Sequence, residues 1–128
     1  MVGGLEGLRI FRLAEKLADE IWGEVITWKG LARATVGEEL VRSSDSVGAN
    51  IAEGHGRFHY RDEITFDYYR RGSLKETRFW LRRAIARRII TDAKFHRYIG
   101  MVDELEPQLN AYINSLDAKA TTSTRKRR

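Results

Sequence analysis

The sequence predicts an all-α protein that folds as an up-down-up-down, antiparallel four-helix bundle. Apolar residues recur at intervals of three and four along four long segments, which is the spacing that places them on one face of a helix. The chain has one proline, and no segment alternates apolar and polar residues as a strand does. The breaks between the segments are short, and short connections place consecutive long helices side by side in opposite directions.

The first predicted helix covers residues 5–28. Leu17, Ile21 and Val25 lie on its apolar face because they are three or four residues apart. We expect Gly30 to end this helix, since glycine readily adopts the left-handed conformation found after helix C-termini.

The second predicted helix begins at Thr35, because Thr35 and Glu38 have the spacing of a capping box. Gly54 and Gly56 are expected to end it. Its apolar face is formed by Val36, Leu40, Ser44, Val47, Ile51 and Gly54.

The third predicted helix covers residues 60–90. Arg70 and Arg88 fall on its apolar side, and a buried arginine needs partners, for which Glu53 and Glu63 are the local candidates. The expected buried stripe consists of Phe66, Ser73, Leu74, Thr77, Leu81, Ala84 and Ile85.

The fourth predicted helix follows Thr91, a candidate N-cap, and has the clearest apolar pattern, which ends at Leu116. Pro107 lies inside it and is expected to kink or restart the helix. We therefore expect one domain, a four-helix bundle over residues 1–117. The Thr- and Ser-rich, then basic residues 118–128 are expected to form a disordered tail.

Composition excludes several classes of protein. The absence of cysteine rules out disulfides and thiolate metal sites. Charges recur from Glu6 onward, so the N-terminus resembles neither a signal peptide nor a membrane span. The expectation is a cytoplasmic protein without membrane contact.

The polar run around residues 43–59 contains residue types used in catalysis and metal binding, but in unsuitable positions. Asp45 and Ser46 are adjacent, so they diverge by about 100° on a helix and do not form a nucleophilic triad with His55. His55 and His59 lack a placed third ligand for zinc. The glycines near His55 lack the preceding strand and following lysine of a phosphate-binding loop. We therefore predict no enzymatic activity, no metal and no cofactor.

The net charge of +5 is distributed unevenly. Residues 1–118 carry equal numbers of basic and acidic side chains, and the excess lies in residues 119–128. Within the body, residues 70–88 hold eight basic residues against Glu76 alone, whereas residues 101–117 hold four acidic residues and no basic one. One helix is therefore cationic and another anionic.

The cationic helix is a candidate nucleic-acid-binding surface, because a dense basic stripe concentrates phosphate backbones around itself. An alternative is a solvated face, or one that pairs with the acidic fourth helix of a neighbouring subunit. The residues that we predict to contact nucleic acid are Arg71, Lys75, Arg78, Arg82, Arg83 and Arg87 on the helix and Arg125, Lys126, Arg127 and Arg128 in the tail.

Two motifs together resemble a known family. Residues 42–57 read RSSDSVGANIAEGHGR, and residues 71–76 read RGSLKE. In this order and spacing they resemble the bacterial four-helix-bundle family of 23S rRNA intervening-sequence proteins, which includes the accessory variability determinants of diversity-generating retroelements. The resemblance extends over about residues 8–116. Residues 78–81, RFWL, are similar to the accessory branch.

The resemblance implies a non-enzymatic protomer that assembles as a homopentameric ring. It also implies binding of RNA or DNA and, in the accessory branch, contact with a reverse transcriptase as a scaffold protein. In the intervening-sequence branch, it implies a structural oligomer whose role is undefined. This sequence departs from the family pattern at Arg70, where a small apolar residue is more usual, and at Pro107.

The motif residues have a structural interpretation. Small residues of the second helix, including Gly48, are expected to let another helix approach closely, with Gly72 and Ser73 of the third helix as the complement. Asn50 and Glu53 are expected to bond to backbone or to Arg57. The predicted structural motif is Ser43, Ser46, Asn50, Glu53, Gly54, Arg57, Gly72, Ser73 and Glu76.

Overall fold

The computed structural model describes the backbone of residues 4, 8–55 and 60–126, and the side chains of residues 4, 8–55, 69–115 and 118. The predicted four helices are confirmed, and no strand occurs within these ranges. The second helix, α2, consists of three consecutive pieces, the middle one a π-helical turn. The helices are α1 (Arg9–Val25), α2 (Gly30–Ala32, Arg33–Gly37 and Glu38–Gly54), α3 (Tyr60–Ala86) and α4 (Asp92–Lys126).

Contacts between the helices show that neighbours are antiparallel. In the pairing of α1 with α4, Glu20 bonds to Arg97, whereas Arg9, at the start of α1, bonds to Gln108. As residue numbers rise in one helix they fall in the other. Each helix packs on its neighbours in the chain, and α1 also packs on α4, so the four helices enclose one core.

The core consists of the apolar stripes predicted from the sequence, although Ser73 and Ile85 are only half-buried and Phe66 and Leu116 lie outside the described side chains. Burial of a large aliphatic side chain contributes about 1.5–3 kcal/mol, so these stripes are the main source of stability. The fully buried aliphatic residues include Leu17, Ile21, Leu40, Val47, Ile51, Leu74, Leu81, Val102, Leu105 and Leu109.

The start of α2 differs from the prediction. Helix α1 ends at Val25, and Gly30 is the first residue of α2 rather than the stop of α1, although its φ of +60° is the left-handed conformation expected of it. Thr35 lies inside α2, where its Oγ1 donates a hydrogen bond to the Leu31 carbonyl at 2.7 Å. The predicted capping box with Glu38 is therefore wrong, because the preceding turn already supplies partners for the amides at that point.

The π-helical turn brings Gly37 against the end of α1. A β-carbon at Gly37 would lie 2.8 Å from Val25 Cγ1 and 3.3 Å from Trp28 Cε3, closer than packed atoms approach. Only glycine fits this crossing without displacing its neighbours. The close approach between helices therefore depends on a glycine outside the family motif.

Helix α3 ends earlier than predicted, at Ala86. Arg88 has a φ of 58°, and the amides of Arg88 and Ile89 bond to the carbonyls of Ile85 and Ala84. This pair of bonds is a Schellman motif, which ends a helix. The left-handed residue turns its side chain away from the bundle, so Arg88 is exposed and lies 3.5 Å from Asp92, not buried as predicted.

Helix α4 begins as predicted and ends later. The Thr91 Oγ1 accepts a hydrogen bond from the Lys94 amide at 3.2 Å, which confirms the N-cap. The helix continues through Pro107 without restarting and reaches Lys126. The backbone of residues 118–126 is therefore helical rather than a disordered tail, since extending an existing helix adds a bond for each residue ordered. Arg127 and Arg128 lie outside the described residues.

Each helix within the described ranges is too short or too polar to span the hydrocarbon core of a membrane.

Candidate nucleic-acid interface

Five basic residues lie on the outward side of α3 or directly after its last residue, and we call them the α3 cationic face: Arg71, Lys75, Arg82, Arg83 and Arg87. Lys75, Arg82 and Arg87 are exposed, and the other two are half-buried. None of the five has an acidic partner within 4.0 Å among the residues that the structure describes. Their charges are therefore uncompensated at close range.

Arg78 was predicted to belong to this stripe, but the structure places it in the contact between α3 and α4. Its side chain is only 23% exposed, and its Nη2 lies 2.7 Å from Asp103 Oδ1 and 3.2 Å from Glu106 Oε1. Helical spacing alone puts Arg78 beside Lys75 and Arg82, whereas the crossing of α4 covers it. We therefore exclude Arg78 from the α3 cationic face.

The acidic residues of α4 have partners within the same chain. Asp103 and Glu106 pair with Arg78, and Glu104 pairs with Arg9 at 3.2 Å. The side chain of Asp117, the fourth acidic residue of this region, lies outside the described part of the chain. Two cations, Arg78 and Arg9, thus offset part of the charge of the three described acids, which leaves less negative charge on α4 for α3 of a neighbouring subunit.

An aromatic ring lies among the cations. Phe79 is 53% exposed, and the Arg83 guanidinium carbon is 5.7 Å from the centre of its ring. The ring also makes an edge-to-face contact with Trp80 at 4.9 Å between centroids. An exposed ring flanked by positive charge is the arrangement on which nucleic-acid bases stack. In the sequence, residues 78–81 were singled out only through the family resemblance.

The motif serines support the contact between α2 and α3. Ser43 and Ser44 are buried, and the Ser43 and Thr77 hydroxyl oxygens lie 3.1 Å apart, within hydrogen-bond distance. Ser44 Oγ and Ser46 Oγ each donate to a backbone carbonyl one turn earlier, at 2.7 Å. The hydroxyls therefore satisfy one another and the helix backbone, in agreement with the structural interpretation of the motif.

The predicted complement on α3 is only partly right. A β-carbon added at Gly72 would meet no atom within 4 Å, because Gly72 lies on the side of α3 opposite the core. Thr77, which the sequence analysis assigned only to the buried stripe, makes the contact instead. Ser73 contributes its carbonyl, which accepts from Thr77 Oγ1 at 2.9 Å. Glu76 is exposed.

Gly48 also has more space than its place in the motif suggests. Its added β-carbon would lie 3.7 Å from the Ala14 methyl, an ordinary contact distance. Gly48 lines an open groove of about 290 Å³ between α1 and α2, with Asp19 and Asp45 at its edge. Partial burial and the negative charge of Asp19 raise the pKa of Asp45.

Arg70 is fully buried, as predicted. Its Nη1 donates a hydrogen bond to the Asn50 carbonyl at 2.9 Å, and its guanidinium carbon lies 5.6 Å from the centre of the Tyr112 ring. Positive charge is favourable near a helix C-terminus, which is where Asn50 lies in α2. Arg70 therefore connects α2, α3 and α4. Glu53 is exposed, Gly54 is buried at the end of α2, and Arg57 and Glu63 fall outside the described side chains.

A second buried polar cluster, centred on Glu24, was missed by the sequence analysis. Its carboxylate accepts hydrogen bonds from Trp28 Nε1 and Tyr98 Oη, both at 2.8 Å, and its Oε1 lies 3.1 Å from Lys94 Nζ. Glu24 is 8% exposed. Its position on the apolar stripe of α1, four residues before Trp28, was the available signal.

The cluster shifts the pKa of both acidic members. Burial acts to raise the pKa of Glu24, but the hydrogen bonds from Trp28, Tyr98 and Lys94 outweigh it and hold the pKa below its ordinary value. Burial and the bond to the Glu24 carboxylate raise the pKa of Tyr98 well above its ordinary value. Both shifts favour ionised Glu24 beside neutral Tyr98.

Among the described residues, no group of three or more His, Asp or Glu side chains is arranged to hold a metal ion. His55 is half-buried after the last turn of α2, and His59 lies outside the described part.

Comparison with known proteins gives the family. A family model described as 23S rRNA-intervening sequence protein matches residues 6–111, which is most of the chain. The chain belongs to this family. The family that the two motifs resemble is thereby confirmed.

A solved structure supports the same fold. A protein of unknown function from the S23 ribosomal protein family of Bacteroides thetaiotaomicron superposes with a TM-score of 0.73 at 22% sequence identity. The match covers 82% of this chain and 95% of that one. At this identity the likeness shows the fold alone. A search of curated proteins finds no significant match.

Proposed function

We propose that this member of the intervening-sequence protein family is a non-enzymatic, oligomeric protein that binds nucleic acid through the α3 cationic face. The observation that carries the proposal is the set of five basic residues on one side of α3 that have no acidic partner among the described residues. Asp103 and Glu106 of α4 lie within reach of α3, but they pair with Arg78, and Glu104 pairs with Arg9 of α1.

Uncompensated cations attract a phosphate backbone because binding releases its condensed counterions. Phe79 adds a surface on which a base stacks, worth about 1–3 kcal/mol per base in single-stranded complexes. Bases are available for such stacking in single strands and not in an intact duplex. The preferred ligand is therefore single-stranded RNA or DNA.

The partners in this proposal follow from the family resemblance. They are further copies of the chain in a homopentameric ring and a reverse transcriptase, for which the protein would serve as the accessory scaffold. Residues 125–128 would add a second cationic contact. Light scattering measures the number of copies, and co-purification with a reverse transcriptase encoded nearby distinguishes this role from that of an intervening-sequence protein without such a partner.

The first prediction concerns charge reversal on α3. Lys75, Arg82 and Arg87 are exposed and make no ion pair with any described side chain, so changing all three to glutamate removes attraction without breaking an ion pair among those residues. We expect the affinity for single-stranded RNA to fall by about 100-fold or more at low salt, since each lost phosphate contact contributes additively. Filter binding measures the affinity, and circular dichroism checks that helicity is unchanged. Arg78 is left intact because its loss would break the contact with α4.

The matched control reverses three exposed cations elsewhere, Arg12, Lys29 and Arg33, and changes the net charge by the same amount. The proposal predicts a much smaller loss of affinity in this control. Equal losses in the two variants, or full affinity in the α3 variant, would contradict an interface on α3.

A further inference from the structure

A cavity of about 170 Å³ lies between α3 and α4, beside the α3 cationic face. It is far larger than the roughly 10–15 Å³ that a single water needs, so it has room for a small ligand group. Its lining combines two cations, an amide, one acid and two apolar residues: Arg71, Lys75, Asn110, Glu106, Leu74 and Leu109.

The charges in this cavity favour an anion. The one acid among the lining residues, Glu106, shares Arg78 with Asp103, so its charge is offset in part from outside the cavity, and the two cations of the lining outnumber it. The positive charges of Arg71 and Lys75 are not compensated in this way by any described residue. An oxyanion in the cavity would accept charge-assisted hydrogen bonds from the terminal nitrogens of the Arg71 guanidinium and from the Lys75 ammonium group.

We propose that this cavity is a binding site for one phosphate group, held by Arg71 and Lys75 with Asn110 as an uncharged hydrogen-bond donor. The inference rests on the proposed function, because it names the point at which the α3 face would fix one backbone phosphate. The same chemistry also fits free phosphate. A phosphate held here would set the register of the strand relative to Phe79, since phosphate contacts position a nucleic acid and stacking engages its bases.

The test places a negative charge in the cavity and compares it with the same charge outside. Asn110→Asp adds a carboxylate to the lining, whereas Asn114→Asp makes the same change at an exposed site one turn further along α4, outside the lining. Each variant is titrated with inorganic phosphate, followed by NMR amide shifts, and separately with a single-stranded RNA of about 16 nucleotides. We expect Asn110→Asp to lower both affinities about tenfold or more relative to Asn114→Asp, because like charges placed together repel strongly.

The two ligands separate the sources of the phosphate. If Asn110→Asp weakens both, the site holds a backbone phosphate. If it weakens inorganic phosphate alone, the site binds phosphate from a free source. If the parent protein binds phosphate but no RNA, the site again binds phosphate from a free source. The proposed function then fails, and the phosphate site stands. If the parent protein binds no phosphate, or if the two aspartate variants behave alike with both ligands, the inference is wrong.

Discussion

Two buried charged residues connect the helices, Glu24 at one end of the bundle and Arg70 at the other. Glu24 joins α1 to α4 through Tyr98 and Lys94, and Arg70 joins α3 to the last turn of α2. Both side chains are buried, so removal of a partner leaves a charge without compensation in an apolar environment. Breaking such a contact typically destabilises a protein by about 3–5 kcal/mol.

The prediction at this scale is that Glu24→Gln destabilises the protein by about 1–3 kcal/mol. Glutamine has one acceptor oxygen and a donor group, so it cannot accept from Trp28, Tyr98 and Lys94 together. Chemical denaturation measures the change in the free energy of unfolding. Glu20→Gln is the control, because the Glu20–Arg97 pair lies at the surface and such pairs contribute up to about 1 kcal/mol. Similar losses in both variants would contradict the importance of the buried cluster.

The same cluster predicts a pH dependence. The pKa of Glu24 is lowered by folding, so its contribution is complete above the ordinary value of 4.5 and is lost as the pH falls below it. The pKa of Tyr98 is raised by folding, so its contribution is present below the ordinary value of 10.0 and declines as the pH rises above it. In Glu24→Gln the free energy of unfolding should therefore vary less with pH at both limits than in the parent protein.

At the scale of the helices, the spacing of apolar residues predicted the features that depend on residues of the same helix. The apolar stripes of α1 to α4 follow from spacing alone, and the structure confirms them among the described side chains. The start of α2 and the exposure of Arg78 depend instead on residues distant in sequence. Gly37 packs closely against Val25 and Trp28, and Arg78 is covered by α4. The residue pattern of a single helix predicts neither contact, because the partner residues belong to other segments of the chain.

Two of the glycines of α2, Gly37 and Gly48, give the prediction at this scale. Gly37→Ala should destabilise the protein by about 1–3 kcal/mol, because its β-carbon would overlap Val25 and force the helices apart. Gly48→Ala should stabilise it by about 0.5–1 kcal/mol, because there is room for a methyl group and alanine favours the helix. Thermal unfolding of the two variants measures both changes. If Gly48→Ala were the more damaging substitution, Gly48 rather than Gly37 would be the close-packing position.

At the scale of the molecule, the distribution of charge links the fold to the proposed function. Acidic residues of α4 and α1 pair with cations inside the chain, as in Asp103–Arg78 and Glu20–Arg97. The cations of the outward side of α3 remain without such partners among the described residues. The sequence predicted the cationic helix, and the structure separates Arg70 and Arg78, which join helices of the bundle, from the five residues that face outward.

The salt dependence of RNA binding tests the central claim most directly. Each phosphate contact with a single strand contributes about 0.7 to the slope of log affinity against log salt concentration. Neutralising Lys75, Arg82 and Arg87 to glutamine should therefore make the slope shallower by about 2 relative to the parent protein. Identical slopes for the parent and the glutamine variant would show that these residues contact no phosphate, and would contradict the account.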